Sequence, residues 1–139
     1  MADQSPQRST ILVVDDDPSN RSLLTIFLRL SFGSYEIVTA MDGHEALEYV
    51  SALPVVLIIT DNQMPLLSGL ELTSIIKAQQ PKIGVILMSA DIASNIERLA
   101  AAHGADYYLA KPFSLDQLKQ IVEMMLEPTL QERVVSQSL

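Results

Sequence analysis

Short runs of aliphatic and β-branched residues alternate along the chain with stretches whose apolar side chains recur every three or four positions. That is the pattern of βα units laid on a parallel sheet. Thr10–Val14 is the first run, continuously apolar after its threonine, as a strand buried on both faces should be. Three aspartates end it, and Asp17-Pro18 reads as a helix start, with the acid as cap and the proline at the first helical position. Leu23, Leu24, Phe27, Leu28 and Leu30 follow at helical spacing, and Gly33 is expected to close the segment.

Four more units follow. Tyr35–Ala40 reads as the second strand, and Asp42-Gly43 turns the chain into a helix carrying Ala46, Leu47 and Val50. Val55–Thr60 is the third strand and the most apolar, which places it at the sheet centre. A helix from Leu70 to Ala78 is stopped by Pro81, and Ile83–Met88 is the fourth strand. Ile92, Ile96, Leu99 and Ala100 define a fourth helix closed by His103-Gly104, and Tyr107–Ala110 is the fifth strand. Leu115, Leu118, Ile121, Val122 and Met125 give a last helix, which Pro128 stops. The fold class expected is α/β: a doubly wound, five-stranded parallel sheet with five helices. Residues 1–9 read as a flexible N-terminus, 10–126 as the domain, and 127–139 as a tail or the start of a linker.

Composition narrows the function. With 139 residues the chain has room for one core, and 48% hydrophobic residues are enough to fill it. The formal net charge is −8, which disfavours direct binding of nucleic acid or an anionic membrane surface. No cysteine is present, so disulfides, thiolate metal sites and a cysteine nucleophile are excluded. Two histidines, His44 and His103, are too few for a histidine-rich metal site. Met1 to Thr10 has no apolar signal-peptide core, and the longest apolar run, Val55–Ile59, is far too short to span a bilayer. A cytoplasmic protein is expected.

The chemistry gathers at one edge. Ligands of an open parallel sheet bind beyond the carboxyl ends of its strands. Asp15, Asp16 and Asp17 follow the first strand, Asp61 the third, Ser89 the fourth and Lys111 the fifth. Clustered carboxylates need a compensating cation, and an oxygen-only ligand set suits Mg2+. Mg2+ keeps part of its shell for water or a substrate phosphate. With Lys111 as fixed charge and Ser89 as neutral donor, the set suits stabilising a phosphoryl group. No glycine-rich phosphate loop is present, so nucleotide binding is not supported. Each residue also has a plainer use: Asp17 as helix cap, Ser89 as cap of the next helix, Lys111 as a solvated surface lysine. Their common position on one sheet edge is what argues for a shared site.

The segments Ile-Leu-Val-Val-Asp-Asp-Asp-Pro (11–18), Thr-Asp-Asn-Gln-Met-Pro (60–65), Met-Ser-Ala (88–90) and Ala-Lys-Pro-Phe (110–113) resemble the receiver domain of bacterial two-component response regulators. The resemblance covers about residues 10 to 126 and implies a flavodoxin-like topology. It implies that Asp61 is the phosphoacceptor, charged by a phosphohistidine of a sensor histidine kinase or phosphotransfer protein. It implies Mg2+ held by Asp15, Asp16 and Asp61 with the backbone carbonyl of Gln63, Asp16 directly and Asp15 through water. Ser89 and Lys111 match the residues that contact the phosphoryl oxygens. Tyr108 matches the aromatic switch residue that follows Ser89, and Pro112 matches a cis-proline.

Two positions depart from the family pattern. Ser68 stands where an acid usually precedes Gly69, and Ile121 replaces an arginine usual in receivers joined to winged-helix DNA-binding domains. The second weakens a transcription-factor reading and leaves the output partner open. The resemblance implies a switch, not an enzyme acting on a metabolite, and an output surface on the fourth helix, fifth strand and fifth helix. The enzymatic alternative is a Mg2+-dependent aspartyl-phosphate phosphohydrolase of haloacid-dehalogenase type. It would need an aspartate where Gln63 stands and a longer chain for a cap domain. The first helix carries Leu23, Leu24, Ile26, Phe27, Leu28 and Leu30, more than one buried stripe requires. The surplus could be overlaid by neighbouring helices, or it could serve a kinase or a second protomer in a homodimer.

Overall fold

The computed structural model describes residues 7–91 and 95–126. The order of elements is β1 (Thr10–Val14), α1 (Pro18–Ser31), β2 (Glu36–Ala40), α2 (Gly43–Ala52), β3 (Val55–Asp61), α3 (Gly69–Gln79), β4 (Gly84–Ser89), α4 (Ile96–Ala102), β5 (Tyr107–Ala110) and α5 (Leu115–Leu126). All strand pairs are parallel, in the order β2-β1-β3-β4-β5, with the apolar β3 at the centre. Ile92, expected in the fourth helix, and the segments 1–6 and 127–139, expected as a flexible start and a tail, lie outside the described residues.

Side chains alternate across a strand, so a strand buried on both faces feeds two cores. Ile11 and Val13 of β1 join Leu57, Ile59, Ile86 and Met88 beneath α1 and α5, whose Leu24, Leu28, Leu118 and Val122 close that layer. Leu12 and Val14 join Ile58 and Val85 on the other face, closed by Ala46 and Val50 of α2 and Leu72 and Ile76 of α3. The sheet is therefore doubly wound.

Element ends differ from the sequence reading by a residue or two, each with a local cause. β3 runs on to Asp61 because that residue still pairs with Met88. β4 is shifted by one, from Gly84 to Ser89, and Ser89 pairs with Ala110. β2 starts at Glu36, since the Tyr35 N–H turns back to the Phe32 carbonyl at 3.0 Å. α1 ends at Ser31, before Gly33: the Phe32 N–H caps Leu28 at 2.7 Å. α3 begins at Gly69, because Ser68 and Glu71 form a capping box: Glu71 N–H donates to Ser68 Oγ and Ser68 N–H to Glu71 Oε1, each at 3.1 Å. Ser68 thus has a definite task as the cap of α3.

The surplus on α1 divides. Leu24 and Leu28 are buried and Phe27 packs on the core, whereas Leu23, Ile26 and Leu30 remain 55%, 60% and 83% exposed. Neighbouring helices do not overlay that stripe among the described residues.

Candidate functional site

The carboxyl ends of β1, β3, β4 and β5 bring Asp15, Asp16, Asp61, Ser89 and Lys111 to one edge of the sheet. Asp15 sits directly beyond β1, its N–H donating to the Ala40 carbonyl at 3.1 Å, and it is only 1% exposed. Its Oδ1 accepts from the Asp17 N–H at 2.9 Å, while Oδ2 is buried without a hydrogen-bond partner. Asp16 faces solvent. Asp17 caps α1 by accepting from the Ser19 N–H at 2.8 Å, the plainer role foreseen for it.

Asp61 is buried at the end of β3. Lys111 Nζ lies 3.3 Å from Asp61 Oδ1 and 3.9 Å from Asp15 Oδ2, so one ammonium faces two buried carboxylates. The lysine is held there by its backbone N–H, which donates to the Ser89 carbonyl at 2.8 Å. The Lys111–Pro112 peptide bond is cis. Oxygens of Asp15, Asp16 and Asp61 lie within 4.8 Å of one another. Burial is the chief cause that raises the Asp15 pKa above its ordinary value of 3.8, with the charges of Asp61 and Asp16 adding to it. The Asp17 hydrogen bond and Lys111 oppose the rise. A single lysine against three carboxylates, with one buried oxygen unpartnered, leaves room for a divalent cation, and the hard-oxygen set suits Mg2+. Gln63 is exposed, two residues beyond Asp61 in the β3–α3 loop. The side chain two residues beyond Asp61 is thus an exposed amide, where a haloacid-dehalogenase site would have its second carboxylate.

Ser89 is buried at the end of β4, and its Oγ accepts from the Asp91 N–H at 3.0 Å. The Tyr108 hydroxyl on β5 lies near the Ser89 side chain. Burial raises the Tyr108 pKa above 10.0, with Asp91 and Glu97 adding negative charge nearby, and the influence of Ser89 lowers it against these causes. Among the described residues the Ser89 hydroxyl is therefore tied to Asp91 rather than to Asp61. A cavity of about 480 Å³ opens beside the acids, lined by Asp15, Asn20, Leu23, Met88, Lys111 and Phe113 among others.

Three residues escape a reading of the sequence. Asn62 joins β3 to α3: its N–H donates to Met88 O at 2.9 Å, its carbonyl accepts from Gly69 N at 3.0 Å, and its Oδ1 accepts from Leu70 N at 3.1 Å. An asparagine seven residues before a helix carries no local cap signal that would have revealed this. Arg21 Nη1 donates to the Asp15 carbonyl at 2.6 Å, a contact visible only once α1 is folded against β1. Leu66, in the β3–α3 loop, has φ 72 and is 85% exposed, an uncommon backbone for leucine.

A family model described as the response regulator receiver domain matches residues 11–123. Response regulator GtcR of Aneurinibacillus migulanus is 38% identical over 105 residues, covering 76% of this chain and 42% of that protein. Sensor protein EvgS of Escherichia coli K12 is 36% identical over 114 residues, covering 82% of this chain and 9% of that one. The chain therefore spans less than half the length of these curated relatives. Among solved structures, response regulator TrrA of Thermotoga maritima, in complex with Mg(2+)-BeF, superposes with a TM-score of 0.75 at 36% identity, covering 84% of this chain and 98% of that one. A response regulator receiver protein from Pseudomonas putida gives a TM-score of 0.77 at 30% identity, covering 86% and 99%. Among the described residues no helix is long and apolar enough to cross a membrane. The five-stranded doubly wound sheet, the acids and lysine on its edge and these matches lead to one assignment: this chain belongs to the response regulator receiver domain family, the phosphorylatable signalling switches of two-component systems.

Proposed function

We propose that Asp61 is the phosphoacceptor, and that the domain catalyses only its own phosphorylation and dephosphorylation, working in the cytoplasm with a sensor histidine kinase or phosphotransfer protein as donor. The observation that carries this is the single ammonium of Lys111 facing two buried carboxylates, 3.3 Å from Asp61 and 3.9 Å from Asp15. In the transfer, an Asp61 carboxylate oxygen forms the new O–P bond as the N–P bond of the donor phosphohistidine breaks. The bonding pair returns to the imidazole nitrogen. Asp15, Asp16, Asp61 and the Gln63 carbonyl would hold Mg2+, which when bound supplies the positive charge that offsets repulsion between carboxylate and phosphoryl group.

Lys111 is positioned to neutralise a phosphoryl oxygen on Asp61, since it already lies against that carboxylate. Ser89, whose Oγ accepts from the Asp91 N–H, reaches the same oxygens by turning its hydroxyl toward Asp61. That exchange gives the two states different contacts, which a switch requires. Tyr108, which lies near Ser89, carries the change to the surface of α4, β5 and α5. An output domain or partner protein would read that surface.

The test is incubation of the full chain with acetyl phosphate, with and without Mg2+, followed by intact mass. A single phosphoryl addition that depends on Mg2+ is expected for the wild type and none for Asp61→Asn. A phosphoryl gain in Asp61→Asn overturns the assignment.

A further inference from the structure

A second cavity, of about 410 Å³, lies between α1 and the edge strand β2, and none of Asp15, Asp16, Asp61, Ser89 and Lys111 lines it. Its polar lining is Arg21, Ser22, Thr25, Arg29, Thr39 and Tyr49, and no acidic side chain lines it. In a chain of net charge −8, two arginines on one cavity with no acid among them are out of keeping with the rest of the surface. Among the described residues neither guanidinium has a carboxylate within 4.0 Å, and α1 itself contains no acidic residue. Arginine's planar donor fork matches phosphate geometry, and charge-assisted pairs of this kind are the strong hydrogen bonds of protein surfaces.

Two further observations point to a ligand. Thr25 Oγ1 is buried in the cavity wall without a hydrogen-bond partner, so it forgoes the bond to a preceding carbonyl that helical threonines commonly make. Rotation about its Cα–Cβ bond would present that hydroxyl to a bound anion. Arg21 is also pre-organised: Nη1 is fixed to the Asp15 carbonyl at 2.6 Å, which holds the guanidinium in place. Arg21 and Arg29 are eight residues apart on one helix, about 12 Å along its axis. One small anion does not span that distance. The volume falls within the range of small-molecule sites, and Ile26 and Tyr49 offer apolar surface for the body of a ligand.

We propose that this cavity binds a small phosphorylated molecule with two anionic groups, one on Arg21 and the other on Arg29. The site is separate from the phosphoacceptor edge, yet joined to it through the Arg21 contact with Asp15.

The test is an amide NMR titration of the full chain in chelator, with fructose 1,6-bisphosphate, inorganic phosphate and adenosine as probes. The bisphosphate should shift amides of Arg21 to Arg29 and of Thr39, and reach half-saturation at about tenfold lower concentration than inorganic phosphate. Adenosine should shift none of them. Arg29→Gln should weaken bisphosphate binding about tenfold, the loss of one charge-assisted pair, and Arg29→Lys should restore part of it. Arg29 is exposed, so both variants should unfold at the wild-type temperature, whereas Lys111→Gln should leave the titration unchanged. The proposal is overturned if the bisphosphate causes no shift at millimolar concentration, or if inorganic phosphate binds equally well. It is also overturned if Lys111→Gln abolishes the shifts while Arg29→Gln does not, which would place the anion at the acidic edge.

Discussion

Replacing Asp15 by asparagine should stabilise the metal-free domain. The carboxylate is 1% exposed, one of its oxygens has no hydrogen-bond partner, and the charges of Asp61 and Asp16 repel it. Its one ionic attraction, Lys111 at 3.9 Å, is long, and that lysine is shared with Asp61 at 3.3 Å. Asparagine keeps the shape and the bond from the Asp17 N–H, now 2.9 Å to Oδ1. Its amide can donate toward Asp61 where Oδ2 accepts nothing. Removing a buried, unsatisfied charged oxygen is worth about 1–3 kcal/mol. For a domain of this size that is a rise in melting temperature of about 4–12 °C, at roughly 4 °C per kcal/mol.

The gain must depend on pH in a fixed direction. The folded state holds the Asp15 proton more tightly than the unfolded chain, whose carboxyl has its ordinary value of 3.8. The wild type therefore keeps this contribution fully below pH 3.8 and loses it as pH rises through the higher folded value. The asparagine variant has no such loss, so the gap should be small near pH 3.8 and widen above it. Thermal unfolding by circular dichroism in chelator, from pH 4 to pH 8, reads this directly. Added Mg2+ should then narrow the gap, since binding to the folded state alone stabilises by about 2.7 kcal/mol at a hundredfold excess over Kd and the variant lacks one ligand charge. A variant less stable than wild type in chelator, or a gap that does not change with pH, refutes the reasoning.

Gly69→Ala should destabilise by about 2–3 kcal/mol in urea unfolding, because a Cβ there would strike the Asp61 carbonyl oxygen and come within 2.8 Å of Asn62 Cα, both backbone atoms. The displaced Asp61 should also slow phosphorylation by acetyl phosphate, and a loss under about 0.5 kcal/mol would show that the loop yields freely. Ile26→Lys with Leu30→Lys should change stability by no more than about 0.5 kcal/mol per substitution, since both side chains are mostly exposed. If the stripe docks a phosphodonor or a second copy, transfer from the donor or self-association in sedimentation should fall. A large drop in melting temperature would instead make these residues core.

The edge strands β2 and β5 are only partly buried. The other three were legible because a parallel strand covered on both faces is apolar along almost its whole length, as β1, β3 and β4 are. Their ends were not. Asp61 and Ser89 are polar, so composition places them after β3 and β4, yet ladder pairing with Met88 and Ala110 keeps them inside. The consequence is functional. A residue that still belongs to the ladder is held by the sheet, so Asp61 and Ser89 are rigidly placed, while Asp16 and Gln63 sit on loops that solvent reaches. The sequence pattern enters α3 one residue late for a similar reason: Ser68 and Glu71 carry a readable capping box, but the apolar Leu70 marks where burial begins.

The candidate site residues could be picked out because each stands at or just beyond the carboxyl end of a strand on the same edge, and topology alone then brings them together. What orders them could not. Whether the Ser89 hydroxyl turns toward Asp61 depends on the bond it accepts from the Asp91 N–H, and Asp91 does not signal that choice locally. The same holds for Asp15. Three adjacent aspartates look alike in sequence, yet folding buries the first, exposes the second and makes the third a helix cap. The buried one ends with an oxygen that no protein group satisfies, beside a lysine already given to Asp61. That imbalance arises from tertiary packing, and it is the physical reason the edge suits a cation and an incoming phosphoryl group better than it suits itself.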